Sequence, residues 1–95
     1  MTKYEIMYVI RPTVLEDDRK ALVEQFNDIF TSRGSEVKNV NEWGMRDLAY
    51  EIQKHRKGYY VVLDVVANDE ARNEFDRVVR ISEDVIRYLI LKDVR

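Results

Sequence analysis

Cysteine is absent, which removes disulfides, thiolate metal sites and cysteine nucleophiles from consideration. A reducing compartment such as the cytoplasm fits that absence. Proline occurs once, at Pro12, and glycine three times, at Gly34, Gly44 and Gly58, so no flexible or rigid linker divides the chain. No apolar run approaches the roughly 20 residues of a membrane-spanning helix. Met1-Thr2-Lys3 leads straight into a strand pattern, without secretory-signal architecture. The single histidine, His55, lies between Lys54 and Arg56, with no carboxylate in the sequence placed to orient it as a catalytic base requires. There is no phosphate-cradling glycine loop and no paired metal-ligand spacing. The chain is therefore read as non-catalytic, with no cofactor, no metal and no small-molecule substrate.

What is present suits one soluble domain spanning residues 1–95, 45% hydrophobic and 36% charged. Sixteen basic against eighteen acidic residues leave a net charge of −2, which argues against strong autonomous binding to nucleic acid. The charges are unevenly spread. Glu16, Asp17, Asp18, Glu24 and Asp28 fall in one helical stretch, and Asp69, Glu70, Glu74 and Asp76 in another. Lys54, Arg56 and Lys57 cluster elsewhere, giving an acidic domain one basic edge.

Hydrophobic periodicity sets out the elements. Residues 3–11 alternate with period two and are rich in Tyr, Ile and Val, which predicts a strand ending at Pro12. Thr13-Val14-Leu15-Glu16 has the spacing of a capping box, a hydroxyl followed three residues later by a carboxylate. A helix over about 14–33 follows, with Leu15, Leu22, Val23, Phe26, Ile29 and Phe30 on one face and Gly34 at its end. Residues 36–52 predict a long strand bent near Gly44. Residues 58–66 are nearly all apolar, the mark of a central strand. Asn68 or Asp69 caps a second helix with Ala71, Phe75, Val78 and Val79 on its apolar face. A turn at Ser82–Asp84 leads to a last strand, Val85–Lys92. The β-α-β-β-α-β order with right-handed crossovers specifies an α+β ferredoxin-like sandwich, a four-stranded antiparallel sheet with two helices on one face.

Such a sandwich leaves one sheet face bare, and strand alternation selects it. The classes holding Glu5, Asp64 and Arg87 must face away from the helices, because an unpaired buried charge costs several kcal/mol. In the last strand that class is Val85, Arg87, Leu89 and Leu91, leaving Ile86, Tyr88 and Ile90 for the core. The bare face then also carries Met7, Val9, Tyr60, Val62 and Leu89, an apolar patch of the kind that marks a protein partner. The same parity argues against base stacking of the RNA-recognition-module type. Lys57-Gly58-Tyr59-Tyr60-Val61-Val62 partly matches that module's signature, but its stacking positions, Tyr59 and Val61, fall on the helix side.

The basic cluster, with Arg46 on the adjoining strand, suits phosphate contact, although a solvated turn accounts for a short charge run equally well. Here a resemblance adds to the reading. Lys3-Tyr4-Glu5, Ile10-Arg11-Pro12 and Gly34 are landmarks of it. So are Trp43-Gly44-x-Arg46-x-Leu48-Ala49-Tyr50-x-Ile52, Lys57-Gly58-Tyr59-Tyr60, Arg80-Ile81 and Val85-Ile86-Arg87-Tyr88, with Lys92 near the end. From end to end the chain resembles the bacterial small-subunit ribosomal protein six family. That resemblance implies a structural constituent of the small ribosomal subunit, in the cytoplasm. It implies binding to the central domain of small-subunit rRNA together with small-subunit ribosomal protein eighteen. Lys3, Arg46 and Arg87 match basic positions of the family assigned to RNA, and Lys54, Arg56 and Lys57 lie where the family is variably basic. Two departures reduce the positive potential: Asp47 stands where a basic residue is common, and Thr2 where arginine is common. The competing expectation is a protein-binding module that uses the bare face without touching RNA.

Overall fold

Tyr8, Phe26, Phe30 and Phe75 meet at the centre of the molecule, and the elements arrange themselves around that meeting. The computed structural model describes residues 1–93. Strand β1 (Thr2–Ile10) is followed by helix α1 (Glu16–Thr31), strands β2 (Glu36–Ile52) and β3 (His55–Ala67), helix α2 (Asp69–Ile81) and strand β4 (Val85–Lys92). The strands form one antiparallel sheet in the order β2-β3-β1-β4, with β3 and β1 central as their apolar content requires. Ile6, Tyr8, Ile10, Val61, Leu63 and Val65 project from the sheet into the core, where they meet Val23, Phe26 and Phe30 of α1 and Ala71, Phe75 and Val79 of α2.

Helix α2 starts as its sequence prescribes. The Asn68 side chain accepts from the Ala71 amide at 2.8 Å, and its amide group donates to the Arg33 carbonyl at 2.9 Å, tying the end of one helix to the start of the other. Helix α1 does not use the expected capping box. Its N-cap is Leu15, without a side-chain cap, and Leu15 is 72% exposed instead of joining the core. The Thr13 hydroxyl is taken by the Arg11 guanidinium, which also bridges Asp84 at 2.6 Å, and Val14 is the residue that buries. A local ion-pair network thus competes successfully with the cap. Gly34, at φ +72°, ends the helix in the left-handed conformation expected there.

Parity holds along β1 and β3 and breaks once in β4. Ile10 pairs with Val85 but Val9 with Arg87, so Ile86 is an extra residue. The bulge reverses two assignments: Val85 turns into the core, and Ile86 lies outside it, on the side of Val9 and Gly58. A β-carbon at Gly58 would lie 2.2 Å from Val9 Cγ1 and 3.6 Å from Ile86 Cδ1. Glycine is required at position 58 by this close approach and not by a turn.

Tyr8 carries an unresolved polar cost at the centre of the core. Its hydroxyl is buried without a hydrogen-bond partner among the described residues. Burial pushes its phenol well above the ordinary value, and the neighbouring Glu42 and Tyr59 push in the same direction. Tyr59 is raised by burial and by its bond to Glu42, with Arg19 opposing, and Tyr88 chiefly by its bond to Asp76. A phenol whose folded-state value lies above its unfolded one leaves stability independent of its ionisation below about pH 10, where it is neutral in both states. Above that pH stability falls, because the unfolded chain ionises while the buried phenol does not. Tyr8→Phe is therefore expected to raise stability at pH 7 by about 1 kcal/mol, since an unsatisfied buried hydroxyl is removed. It should also flatten the stability loss above pH 10. Urea unfolding at pH 7 and pH 10.5 checks both; a loss above 1 kcal/mol at pH 7 would mean the hydroxyl is satisfied.

Candidate nucleic-acid interface

Four rows of residues cross the helix-free face, read in the order β2, β3, β1, β4. They are Gly44–Tyr60–Val9–Arg87, then Asn41–Val62–Met7–Leu89, then Asn39–Asp64–Glu5–Leu91, and finally Glu36–Val66–Lys3. Glu5, Asp64 and Arg87 are all exposed on this face, as the cost of burying an unpaired charge demands. Tyr59 and Val61 point to the helix side. Val61 is buried in the core, and the Tyr59 ring lies under the Arg19 guanidinium at 4.0 Å, its hydroxyl donating to Glu42. The two residues that a base-stacking module would need on the open face are therefore unavailable to it.

The first row continues into an aromatic and guanidinium cluster. A register shift between Glu42 and Gly44 makes Trp43 the extra residue of β2, with Gly44 at φ +88°. The indole of Trp43 stacks on Tyr60, with ring centres 6.3 Å apart and planes 9° from parallel. Arg46 lies over the same indole at 5.3 Å. Further along, β2 carries several more residues than β3 between the Asp47–Lys57 and Ile52–His55 pairs. This excess bends the hairpin end back over the sheet, because Tyr50 of edge strand β2 reaches Arg87 on the opposite edge. Arg87 donates to the Tyr50 hydroxyl at 3.2 Å, and its guanidinium lies 5.9 Å from the ring centre. Two arginines, each laid against an aromatic ring, thus stand at one end of the face with most of their donors open to solvent. Guanidinium forks match phosphate oxygens in pairs, and flat aromatic support limits the rotamer freedom lost on contact.

The structure groups the predicted basic residues unequally. Arg46, Lys54, Arg56, Lys57 and Arg87 belong to the hairpin end of the molecule. Lys3 does not: it sits in the last row, six residues along β1 from Val9 and thus roughly 20 Å from the first row. The tip is also built differently from a loop of basic residues. Gln53 and Lys54 alone form the turn, at φ +49° and +68°, and His55 to Lys57 already belong to β3. Arg56 pairs with Glu51 at 3.8 Å and Lys57 with Asp47 at 4.0 Å, both in solvent, where such contacts contribute little.

Of the expected partner-facing residues, Met7, Tyr60, Val62 and Leu89 occupy the helix-free face with part of their surface open. Val9 is a correction. It lies on that face but is 0% exposed, because Tyr60 and Arg87 flank it and its Cγ1 fills the space left by Gly58. No partner can touch it. Trp43 and Tyr50, 46% and 61% exposed, also stand at this face beside Tyr60 and Arg87, where the sequence reading did not place them. Their segment stood out in the sequence, but alternation cannot be carried across bulges of unknown length.

Residues 3–92 match the family model described as ribosomal protein S6. The chain belongs to the ribosomal protein S6 family. Its structure is similar to the crystal structure of 30S ribosomal protein S6 from Thermotoga maritima, with a TM-score of 0.91 and 31% identity over 97% of this chain and 87% of that one. Membership in the S6 family makes the chain a structural, non-enzymatic component of the small ribosomal subunit and an RNA-binding protein of translation. In this S6 chain the ferredoxin-like sandwich therefore serves as a scaffold that holds charges and apolar surface in fixed rows.

Proposed function

We propose that this single cytoplasmic domain, residues 1–95, binds the central domain of small-subunit rRNA jointly with small-subunit ribosomal protein eighteen. The observation that carries the reading is the division of the helix-free face. Its hairpin end presents Arg46 and Arg87 on aromatic supports, with Lys54, Arg56 and Lys57 beyond, while its middle rows present Met7, Val62 and Leu89. RNA phosphates suit the first region and a polypeptide suits the second. Lys3 contributes a separate phosphate contact at the far end. Recognition is by shape and phosphate and not by base edges. With a net charge of −2, the protein binds RNA weakly alone, and a partner docked on the apolar rows extends the surface it presents.

Reconstitution on a fragment of the central rRNA domain, with and without protein eighteen, tests this. Joint binding should exceed the product of the separate affinities. Log affinity should also fall with log salt, by about 0.7–0.9 per phosphate neutralised. A salt-independent complex would instead favour a module that binds protein alone.

A further inference from the structure

The third row of the helix-free face contains an arrangement that weakens the free protein. Glu5 on β1 and Asp64 on β3 are directly opposite each other, flanked by Asn39 and Leu91. Like charges at facing positions of an antiparallel pair repel and destabilise it. Neither carboxylate has an ion-pair or hydrogen-bond partner among the described residues. Lys3, one row further, pairs with neither, and Lys38 is engaged by Glu36 at 3.1 Å. Both acids are exposed, and the apolar surface around them is continuous: Met7 and Val62 in the adjoining row, Leu89 at 45% and Leu91 at 48% exposure along β4. A surface that repels phosphate, is apolar around its centre and holds two unneutralised carboxylates fits one kind of occupant.

We infer that this row is the grip for a basic polypeptide segment, which places a lysine or arginine between Glu5 and Asp64 and lays its apolar side chains over Met7, Val62, Leu89 and Leu91. The inference rests on the face being the protein-docking surface and specifies the chemistry it selects. RNA is disfavoured, because its phosphates would meet both carboxylates. A second copy of the chain is disfavoured by the bent hairpin end, whose Tyr50 stands over the Arg87 end of the face and obstructs flat stacking. The facing acids thus act in selection: they cost the free domain stability and are relieved only by a cationic partner.

The test has two arms on the full chain. In the first, purified protein eighteen is titrated with the wild type, with Glu5→Gln/Asp64→Asn and with Glu5→Lys/Asp64→Lys. The neutral pair should bind at least tenfold more weakly and lose most of its salt dependence, with a melting temperature equal to or above that of the wild type. The lysine pair should not bind. Undiminished binding by the neutral pair overturns the grip. Stronger incorporation of the lysine pair into small subunits overturns it in favour of RNA, and a dimer of the free chain in sedimentation that shields the two acids overturns it in favour of self-association.

The second arm is carbodiimide labelling of carboxylates with glycine ethyl ester, followed by mass spectrometry. Glu5 and Asp64 should label in the free protein and be protected at least tenfold in assembled small subunits. Equal labelling overturns the grip. Suppose the wild type ignores protein eighteen, yet the two acids are protected and cross-link to a lysine of a different polypeptide. Then the choice of partner in the proposed function fails, while the grip stands.

Discussion

Phe75→Ala is expected to lower the unfolding free energy by about 3–5 kcal/mol, the usual cost of truncating a buried phenylalanine. The position justifies the upper part of that range. Phe75 is fully buried, and its ring centre lies 5.7 Å from Phe26, 5.2 Å from Phe30 and 6.2 Å from Tyr8. It is the only one of the four rings that contacts all the others, so its loss also removes three aromatic contacts of about 0.5–1.5 kcal/mol each, which overlap with the burial term. Helix α2 has few other anchors, chiefly Ala71 and Val79. Small domains have only about 5–15 kcal/mol of stability in total, so the variant should be near the edge of folding at 37 °C. A melting temperature lowered by roughly 15 °C or more, and a urea midpoint shifted at unchanged slope, would bear this out. A loss under about 1 kcal/mol would mean that α2 does not seat on the sheet as described.

Arg46→Glu is expected to act on function and spare the fold. Arg46 is exposed on β2, and its one aromatic neighbour is Trp43. Losing an exposed guanidinium–indole contact costs about 0.5–1 kcal/mol, so the melting temperature should move by only a few degrees. At the RNA the loss is larger. A charge-assisted bond to phosphate contributes about 1.5–3 kcal/mol, and the reversed charge adds repulsion. Affinity for the central-domain fragment, with protein eighteen present, should fall on the order of 100-fold at low salt, and the salt slope should shrink by nearly one contact. Filter binding across a salt series measures both. A wild-type curve from a folded Arg46→Glu protein would remove Arg46 from the RNA surface.

Much of this architecture is legible in the sequence because two periodicities suffice for it. The alternation of Ile6, Tyr8 and Ile10 against Glu5, Met7 and Val9 orients β1, and the equivalent alternation orients β3. The charged residues then decide which side is which. What alternation cannot supply is the count of residues at a bulge. One extra residue in β4 exchanged Val85 and Ile86, and a longer excess in β2 carried Tyr50 across the face to Arg87. Burial on an open face also escapes a one-dimensional pattern. Val9 belongs to the bare side, yet it is covered because a glycine beside it leaves room for its methyl group. The expected helix cap at Thr13 was lost to a long-range competitor, Asp84, drawing Arg11 and with it the Thr13 hydroxyl. The candidate site followed the same division: parity placed Arg87 and Leu89 on the bare face, whereas the positions of Trp43 and Tyr50 depend on the fold.

The two borders of the sheet differ in a way that matters before the chain reaches its ribosome. Strand β2 changes register three times, so a foreign strand approaching it finds only short stretches of orderly amides and carbonyls. Strand β4 runs unbroken from Arg87 to Lys92 and displays Leu89 and Leu91 beside its free rim. In a cell holding an excess of unassembled copies, β4 would be the more open of the two rims to strand-by-strand clumping, and a partner seated over those leucines would also close it.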